Sequence, residues 1–583
     1  MNKIYAIIAL LTLTLVGCDD FLDKEPLNDY SVATVFQTEQ DVKYALNGLY
    51  RQIRGFNTST GNPSKSEYVY SLYTDDGYNR SGASKSSDLD FSASKSAVSD
   101  EYSSRYTVIR DVNEFLARAP QAKENFSDEN LYNRYIAEAR FIRAINYARL
   151  NFLFGAVPLL TEPTDPDFFP KRATRLKVFD FVATELTEIA NDLPEQYTEP
   201  GDEVRITRGA ALAIKARHLL NGLDWHANTA ELYTEAAASA GDVYAKGIYS
   251  LDMGASGFHK LFTRESANGA SNGAILTVNY DRDFKAHGYQ NAILPKGAFS
   301  GTKKNNSNYA GISNNLVEAF QVKSSGLDVH DSNSGYDPAN PWEDRDPRLD
   351  ITALRAGEVI PIKGGDGVND LYVYDAHPKK DPTVTLSDGR VIGSIKTDDV
   401  NKNAINKTGY HFQKYQDFDF EHPTSGGDIQ YHFIRFAEVV LLYAEAVLGK
   451  DDNINLAMSL VDEVRARVDM PGVATSYGAV TSTEQALEII LKERRFEFAC
   501  EGPQRFFDIR RHRLGEEVFA EGTVYGIPLG ENRTAQASVL EGDLDDGKKI
   551  IVGTQNFNPA TYYLWPLPQG AIDDNPNLAE DPE

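Results

Sequence analysis

Through most of the first half of this chain apolar residues return at steps of three and four, a period that specifies helices with one buried face and that strands cannot satisfy. Residues 38–54 carry Val42, Ala45, Leu49 and Ile53 on one stripe, and residues 128–154 carry Ala137, Phe141, Ala144, Ala148 and Phe152. The same spacing predicts helices over 101–119, 176–193, 207–223 and 229–246. Small residues alternate with large ones on one face, Ala210, Ala213 and Ala216 against Leu212, Leu219 and Leu220. That alternation lets neighbouring helices approach closely. Helical periodicity resumes over 434–448, 453–468 and 483–500, the first with Phe436, Val440, Tyr443 and Val447 in line.

Short turns such as Asn221-Gly222 join these segments into antiparallel pairs of the tetratricopeptide kind. Ala137-x-x-x-Phe141 matches a fragment of that repeat, although its period of about 34 residues is not kept cleanly. Between 247 and 430 the pattern fades and Gly, Pro, Asn, Ser and Tyr accumulate, as in 297–311 and 332–341. Short apolar runs there, such as 275–278, predict a few strands, and a second loop-rich stretch covers 55–99. The expected fold is therefore mainly α: about four tetratricopeptide-like helix pairs packed against an irregular, loop-rich lobe with a few short strands. Long loops on a rigid helical frame point to binding.

Charge narrows what is bound. Asp and Glu number 85 against 59 Lys and Arg, a formal charge of −26, which excludes a phosphate-tracking nucleic-acid surface. The same field repels acidic polysaccharides, so a polymer ligand is expected to be neutral. Two cysteines allow neither a disulfide framework nor a four-cysteine zinc site.

The N-terminus reads as an address. Lys3 precedes an apolar run over 4–16 that is too short to span a bilayer comfortably, and Leu15-Val16-Gly17-Cys18 resembles a bacterial lipobox. Residues 1–17 are read as a lipoprotein signal peptide, Cys18 as the lipidated residue, and 18–30, with Asp19, Asp20, Asp23 and Glu25, as an acidic tether. Two or more acyl chains would hold the chain stably at a membrane. No other apolar run approaches the ~20 residues of a transmembrane helix. Cys500, in Phe496-Glu497-Phe498-Ala499-Cys500, is read as a buried small hydrophobe.

No Walker loop, Gly-x-Gly-x-x-Gly or His-Glu-x-x-His is present, and no two histidines stand four apart to chelate a metal from one helical face. No catalytic residue, metal site or cofactor is expected. Glycoside hydrolysis needs only two suitably spaced carboxylates. The most conspicuous are Glu438, Glu445, Glu493, Glu497 and Glu501, on or at the ends of apolar helices and close in sequence to Arg435, Arg494, Arg495, Arg505, Arg510 and Arg511. A carboxylate paired with guanidinium has a lowered pKa and is a poor general acid, so these are read as ion pairs locking the last helices together.

Several segments then carry a resemblance. Phe21-Leu22-Asp23-Lys24-Glu25-Pro26 follows the lipobox, and Ala45-Leu46-Asn47-Gly48-Leu49-Tyr50 lies on the first helix. Ala139-Arg140-Phe141-Ile142-Arg143-Ala144 leads to Phe154-Gly155-Ala156-Val157-Pro158-Leu159, and the lobe holds Trp342-Glu343-Asp344-Arg345-Asp346-Pro347-Arg348-Leu349. Ile434-Arg435-Phe436-Ala437-Glu438, Glu493-Arg494-Arg495-Phe496-Glu497-Phe498, Arg505-Phe506-Phe507-Asp508-Ile509-Arg510-Arg511 and Tyr563-Leu564-Trp565-Pro566-Leu567-Pro568 follow in order. Together these resemble the SusD/RagB family of outer-membrane nutrient-uptake lipoproteins.

The resemblance implies an N-terminal SusD-like helical region over 31–246, an irregular ligand-binding lobe over 247–430 and a C-terminal SusD/RagB helical region over 431–583. It also implies a non-catalytic, outer-membrane, cell-surface protein, lipid-anchored, that captures a neutral oligosaccharide or polysaccharide and delivers it to a SusC-like TonB-dependent transporter. The alternatives are a peptide or other nutrient as ligand, or a surface glycoside hydrolase using a carboxylate pair.

Sugar recognition combines aromatic faces against C–H patches with planar polar groups that bond hydroxyls. Two loop groups meet that need. Tyr73, Asp75, Asp76, Tyr78, Asn79 and Arg80, with Tyr68 and Tyr70 before them, precede the second helix. Tyr289, Asn306 and Tyr309, with Phe299 and Asn305, precede Asn315-Leu316-Val317-Glu318-Ala319-Phe320. Trp225, Trp342 and Trp565 are expected to be structural.

Overall fold

Local capping chemistry sets the helix starts in the computed structural model. Thr38 and Asp41 form a reciprocal capping box that opens α1 (Glu39–Tyr50). The second helix, α2 (Ser96–Arg118), has no side-chain cap. Asp128, Thr174, Thr207 and Asn228 accept first-turn N–H groups of α3 (Glu129–Phe154), α4 (Arg175–Ile189), α5 (Arg208–Leu220) and α6 (Thr229–Ala245). Gly155, at φ 71°, ends α3 in a backbone conformation that a side chain would strain. These six helices coincide with the six predicted from periodicity to within a few residues at each end. They pack in series, α2 on α3, α3 on α4, α4 on α5 and α5 on α6.

The structure describes residues 36–53, 55, 66–79, 88–165, 167–199, 201–269, 271–281, 283–293, 310–355, 358–362, 370–375, 384–385, 389–392, 394–396, 408–416, 427–528 and 549–582. The signal segment, Cys18 and the tether lie outside these residues, as do Arg80, Phe299, Asn305, Asn306 and Tyr309. Among the described residues no helix is long and apolar enough to cross a membrane.

The lobe is built from short pieces. A four-stranded sheet joins β1 (Gly77–Tyr78), β3 (Gly311–Ile312), β5 (His411–Phe412) and β4 (Ala353–Leu354) in that spatial order, so the loop before α2 is stitched into the lobe. Two short helices flank it, α7 (Asn314–Ala319) and α8 (Pro347–Thr352). The predicted strand near 275–278 is β2 (Ala274–Val278), and its partner is β6 (Tyr431–Arg435). The predicted helix over 434–448 therefore starts later than its periodicity indicates. Ile434 and Arg435 pair across a bulge with Leu276 and Ala274, and the helix α9 (Phe436–Asp451) begins only after them.

Helix α9 packs against α6, although the whole lobe separates them in sequence, and then against α10 (Ile454–Ala466) and α11 (Thr483–Phe498). A further helix, α12 (Gln504–Arg511), packs on α11, and the hairpin of β7 (Thr523–Pro528) with β8 (Lys549–Thr554) follows. One continuous apolar core runs from Phe36 to Leu578, so helices and lobe share an interior. Cys500 is buried in it, and burial pushes its thiol well up from the usual range.

Buried ion pairs bind the lobe to the C-terminal helices. Arg348 of α8 donates to Asp346 at 2.7 Å and to Glu493 at 2.5 Å, and Arg465 donates to Glu493 at 3.0 Å. Glu497 accepts from Arg435 at 2.9 Å and from Arg467, while Glu501 accepts from Lys414 and Arg435, each at 2.8 Å. Glu438 takes both bonds of the Arg217 fork at 2.7 Å, and Glu445 accepts from Arg511 and lies 3.1 Å from His512. All five glutamates singled out from the sequence are thus buried ion-pair partners, the role expected of them. Burial acts to raise the Glu497 carboxyl, but the guanidiniums of Arg467, Arg435 and Arg348 outweigh it and hold that carboxyl well below the usual range.

Candidate functional site

The first loop group lies inside the protein rather than on its surface. Residues Glu67–Tyr73 form a 3-10 turn whose seven side chains are all buried. Tyr73 stands edge-on to Phe91 at 5.0 Å, and the Tyr70 hydroxyl donates to Glu101 at 2.7 Å. Tyr68 packs 4.8 Å from Tyr289, which is buried between it, His287 and Tyr415. The Tyr78 hydroxyl donates to the Val552 carbonyl at 3.3 Å, in contact with Gly553, where any side chain would collide with the ring. Asn79 is wholly buried. The expectation that Tyr73, Tyr78, Asn79 and Tyr289 present a sugar-binding surface is corrected on this ground: in sequence they look like loop residues, but the core claims them.

Asp75 and Asp76 have a different task. Asp75 accepts two bonds from Arg505, at 3.0 and 3.1 Å, and Arg495 bridges Asp75 at 2.8 Å and Asp76 at 2.6 Å. For Asp75, burial acts to raise the carboxyl, but Arg495 and Arg505 prevail and bring it to about 2. Asp76 is raised, by burial first and by the neighbouring Asp75 charge as well. The pair fixes the Arg495 guanidinium, and Ser313 ties the Asp75 carbonyl to the start of α7 with a 2.5 Å bond. The segment chosen from the sequence is therefore the support of a site.

That site is the cleft on the far side of Arg495. It holds about 580 Å³ between α7, α11, the 328–330 loop and the β7–β8 hairpin. Tyr525, half-buried on β7, supplies an aromatic ring, with the Lys549 ammonium 5.4 Å from its centroid. The backbone N–H of Tyr525 donates to Asn315 Oδ1 at 3.4 Å, which orients the Asn315 amide and leaves its nitrogen for another acceptor. Glu318 is held by Lys549 at 2.7 Å, with His330 at 3.6 Å, and Lys492 lies 3.6 Å from Asp328. A ring face beside a fixed amide and several forked polar groups is the combination that a pyranose or furanose needs.

Two of the cleft carboxylates, Glu318 and Asp328, each face a lysine, Lys549 and Lys492. Among the described residues no group of three or more His, Cys, Asp or Glu side chains converges as metal ligands do. Sequence reasoning overlooked Tyr525, His330, Lys492 and Lys549. The one local signal was the β-rich run Thr523-Val524-Tyr525-Gly526-Ile527, in which Val524 and Ile527 are buried and Tyr525 is left half-open. The three tryptophans are structural: Trp565 stacks 4.4 Å from Phe91, Trp225 lies under Arg175, and Trp342 lies between Tyr410 and Arg355.

Comparison with known proteins agrees with this architecture. A family model described as the SusD family matches residues 272–583, and one described as starch-binding, associating with outer membrane, matches residues 20–220. The SusD-like protein P2 of Formosa agariphila is 23% identical over 596 residues, covering 99% of both chains. Among solved structures, a SusD-like carbohydrate binding protein from Bacteroides fragilis superposes with a TM-score of 0.76 at 23% identity, covering 94% of this chain and all of its own. A laminarin binding SusD-like protein does so at 0.64 and 19%, with 94% and 100% coverage. With a shared fold along its length and the family pattern over more than half of it, the chain belongs to the SusD family.

Proposed function

We propose that this protein is a surface lipoprotein, anchored through Cys18, that binds a saccharide in the cleft at Tyr525 and passes it unaltered to a TonB-dependent transporter of the SusC type. The observation that carries the reading is the cleft itself: a half-open aromatic ring beside the oriented Asn315 amide, backed by the Asp75–Asp76–Arg495 support. The carbohydrate-binding and laminarin-binding relatives of the same fold support the ligand class. Tyr309 and Asn306 lie outside the described residues and remain proposed contacts on the sequence alone.

Affinity gels cast with a panel of neutral glycans test the reading. At least one glycan is expected to retard the protein, and Tyr525→Ala or Asn315→Ala to weaken that retardation with the fold intact. Release of reducing sugar from any retained glycan would replace the binding reading with hydrolysis. Co-purification of a large β-barrel with the lipidated protein from solubilised outer membranes tests the delivery step, and its absence would count against it.

A further inference from the structure

A second cavity, of about 330 Å³, opens between α1, the 201–205 turn, β2 and the tight turn closed by the Asp281–Lys285 bridge. It shares no lining residue with the cleft. Four cationic side chains line it, Lys43, Arg51, Arg205 and Lys285, and among the described residues no carboxylate does. On a chain of charge −26 that collection is out of keeping with the rest of the molecule.

The four are not equivalent. Arg205 is neutralised by Glu138 and Asp202, each at 2.8 Å, and Lys43 reaches Asp202 only at 3.9 Å. Arg51 and Lys285 have no acidic partner among the described residues. The Lys285 ammonium instead sits 5.2 Å from the Tyr280 ring centroid, and burial, with the Arg51 charge added, brings it down to about 8. A lysine kept for stability would have been paired; this one is desolvated and left beside a second cation. The same wall carries Asn279, whose side-chain oxygen is buried and accepts no hydrogen bond. Two cations with no counter-charge among the described residues call for an anion, and a lone acceptor oxygen calls for a hydroxyl donor. Phe284, 86% exposed, and Tyr44, 66% exposed, adjoin Lys285 and Lys43 in the chain and offer ring faces.

We propose that this cavity is a subsite for the anionic substituent of a saccharide, a carboxylate or a sulfate ester, with Arg51 and Lys285 holding the anion and Asn279 Oδ1 accepting from a neighbouring hydroxyl. The saccharide class rests on the function proposed above; the site and its charge preference do not. Long-range repulsion by the acidic surface is no obstacle. It is screened beyond about 8 Å at physiological ionic strength, whereas the cavity cations act at contact.

Calorimetric titration of the purified chain with D-glucuronate, D-glucose 6-sulfate, inorganic sulfate and D-glucose tests the proposal. At least one of the two anionic sugars is expected to bind and glucose not to. Which of the two binds decides between carboxylate and sulfate ester. Arg51→Met and Lys285→Met should each weaken binding about tenfold or more, and Lys285→Arg should retain it. Melting curves of these variants report any loss of fold, and Tyr525→Ala should leave binding at this cavity unchanged. Glucose binding as well as glucuronate, sulfate alone binding as tightly as the anionic sugars, or the double Met variant binding undiminished would each overturn it. Neutral glycans retained on gels while the anionic sugars fail to bind would sink this inference alone. Failure of every saccharide, neutral and charged, would sink the proposed function with it.

Discussion

Replacing Glu497 by Gln tests whether the buried ion-pair cluster fastens the lobe to the helices. Five cations, Arg348, Arg435, Arg465, Arg467 and Lys414, meet four carboxylates, Asp346, Glu493, Glu497 and Glu501, there. Arg348, Arg435 and Lys414 each keep another carboxylate when Glu497 is neutralised, but Arg467 has none among the described residues. Stranding one buried guanidinium costs about 3–5 kcal/mol, whereas removing both members of a buried pair costs much less. Glu497→Gln is therefore expected to lose about that amount in urea unfolding, and Glu497→Gln with Arg467→Met to recover a good part of it. The pH dependence has a definite sign. The folded carboxyl lies well below the unfolded value of about 4.3, so its stabilisation is complete above that value and is lost as pH falls toward the folded one. The wild-type advantage over Glu497→Gln should thus be flat from neutrality to about pH 5 and shrink below pH 4. A loss under about 1 kcal/mol, or a double variant weaker than the single, would refute the reasoning.

Tyr78→Ala and Tyr525→Ala separate interior from site. The first removes a buried ring and is expected to cost about 3–5 kcal/mol of stability. The second is expected to leave the melting temperature nearly unchanged while weakening glycan retention about tenfold, as removal of an aromatic contact does. Asp75→Asn should destabilise at neutral pH, with the difference from wild type vanishing as pH falls through about 2, where the wild-type carboxyl also loses its charge. Cys18→Ala should release the protein from membranes into the soluble fraction; continued membrane association would remove the lipid anchor from the proposal.

The helices were legible because their three-to-four apolar period is a local signal, and most of them also carry a capping residue at the first turn, as at Thr38, Asp128, Thr207, Asn228 and Asn453. The disagreement at 434–435 shows what the period cannot see. Ile434 lies just ahead of the apolar stripe of α9, yet its backbone is claimed by Leu276, more than 150 residues away in the chain, and a local pattern carries no trace of a distant strand. The docking of α6 on α9 is of the same kind. Two helices with apolar faces need partners, but the sequence does not say that each completes the other across the lobe.

The site was harder to read, for a reason visible in Tyr73, Tyr78 and Tyr525. All three are tyrosines among small and polar neighbours, and that composition is shared by a loop that holds a sugar and a loop that fills a core. What separates them is whether another segment arrives to cover the ring: Phe91 and Phe506 cover Tyr73, and Val552 with Gly553 covers Tyr78, whereas among the described residues no aromatic ring packs on Tyr525, and Lys549 stands 5.4 Å from its centroid. The covering segments of Tyr78 lie more than 470 residues downstream. Acidic residues mislead in the same way. Asp75 and Asp76 were chosen as possible hydroxyl acceptors, but arginines at 495 and 505 engage both oxygens of Asp75 and one of Asp76. A carboxylate whose lone pairs are used by buried guanidinium has no capacity left for a ligand and becomes a support. The converse is proposed at Lys285 and Arg51, unremarkable in sequence on so acidic a chain, where the lack of a counter-charge among the described residues is what suggests an anion site.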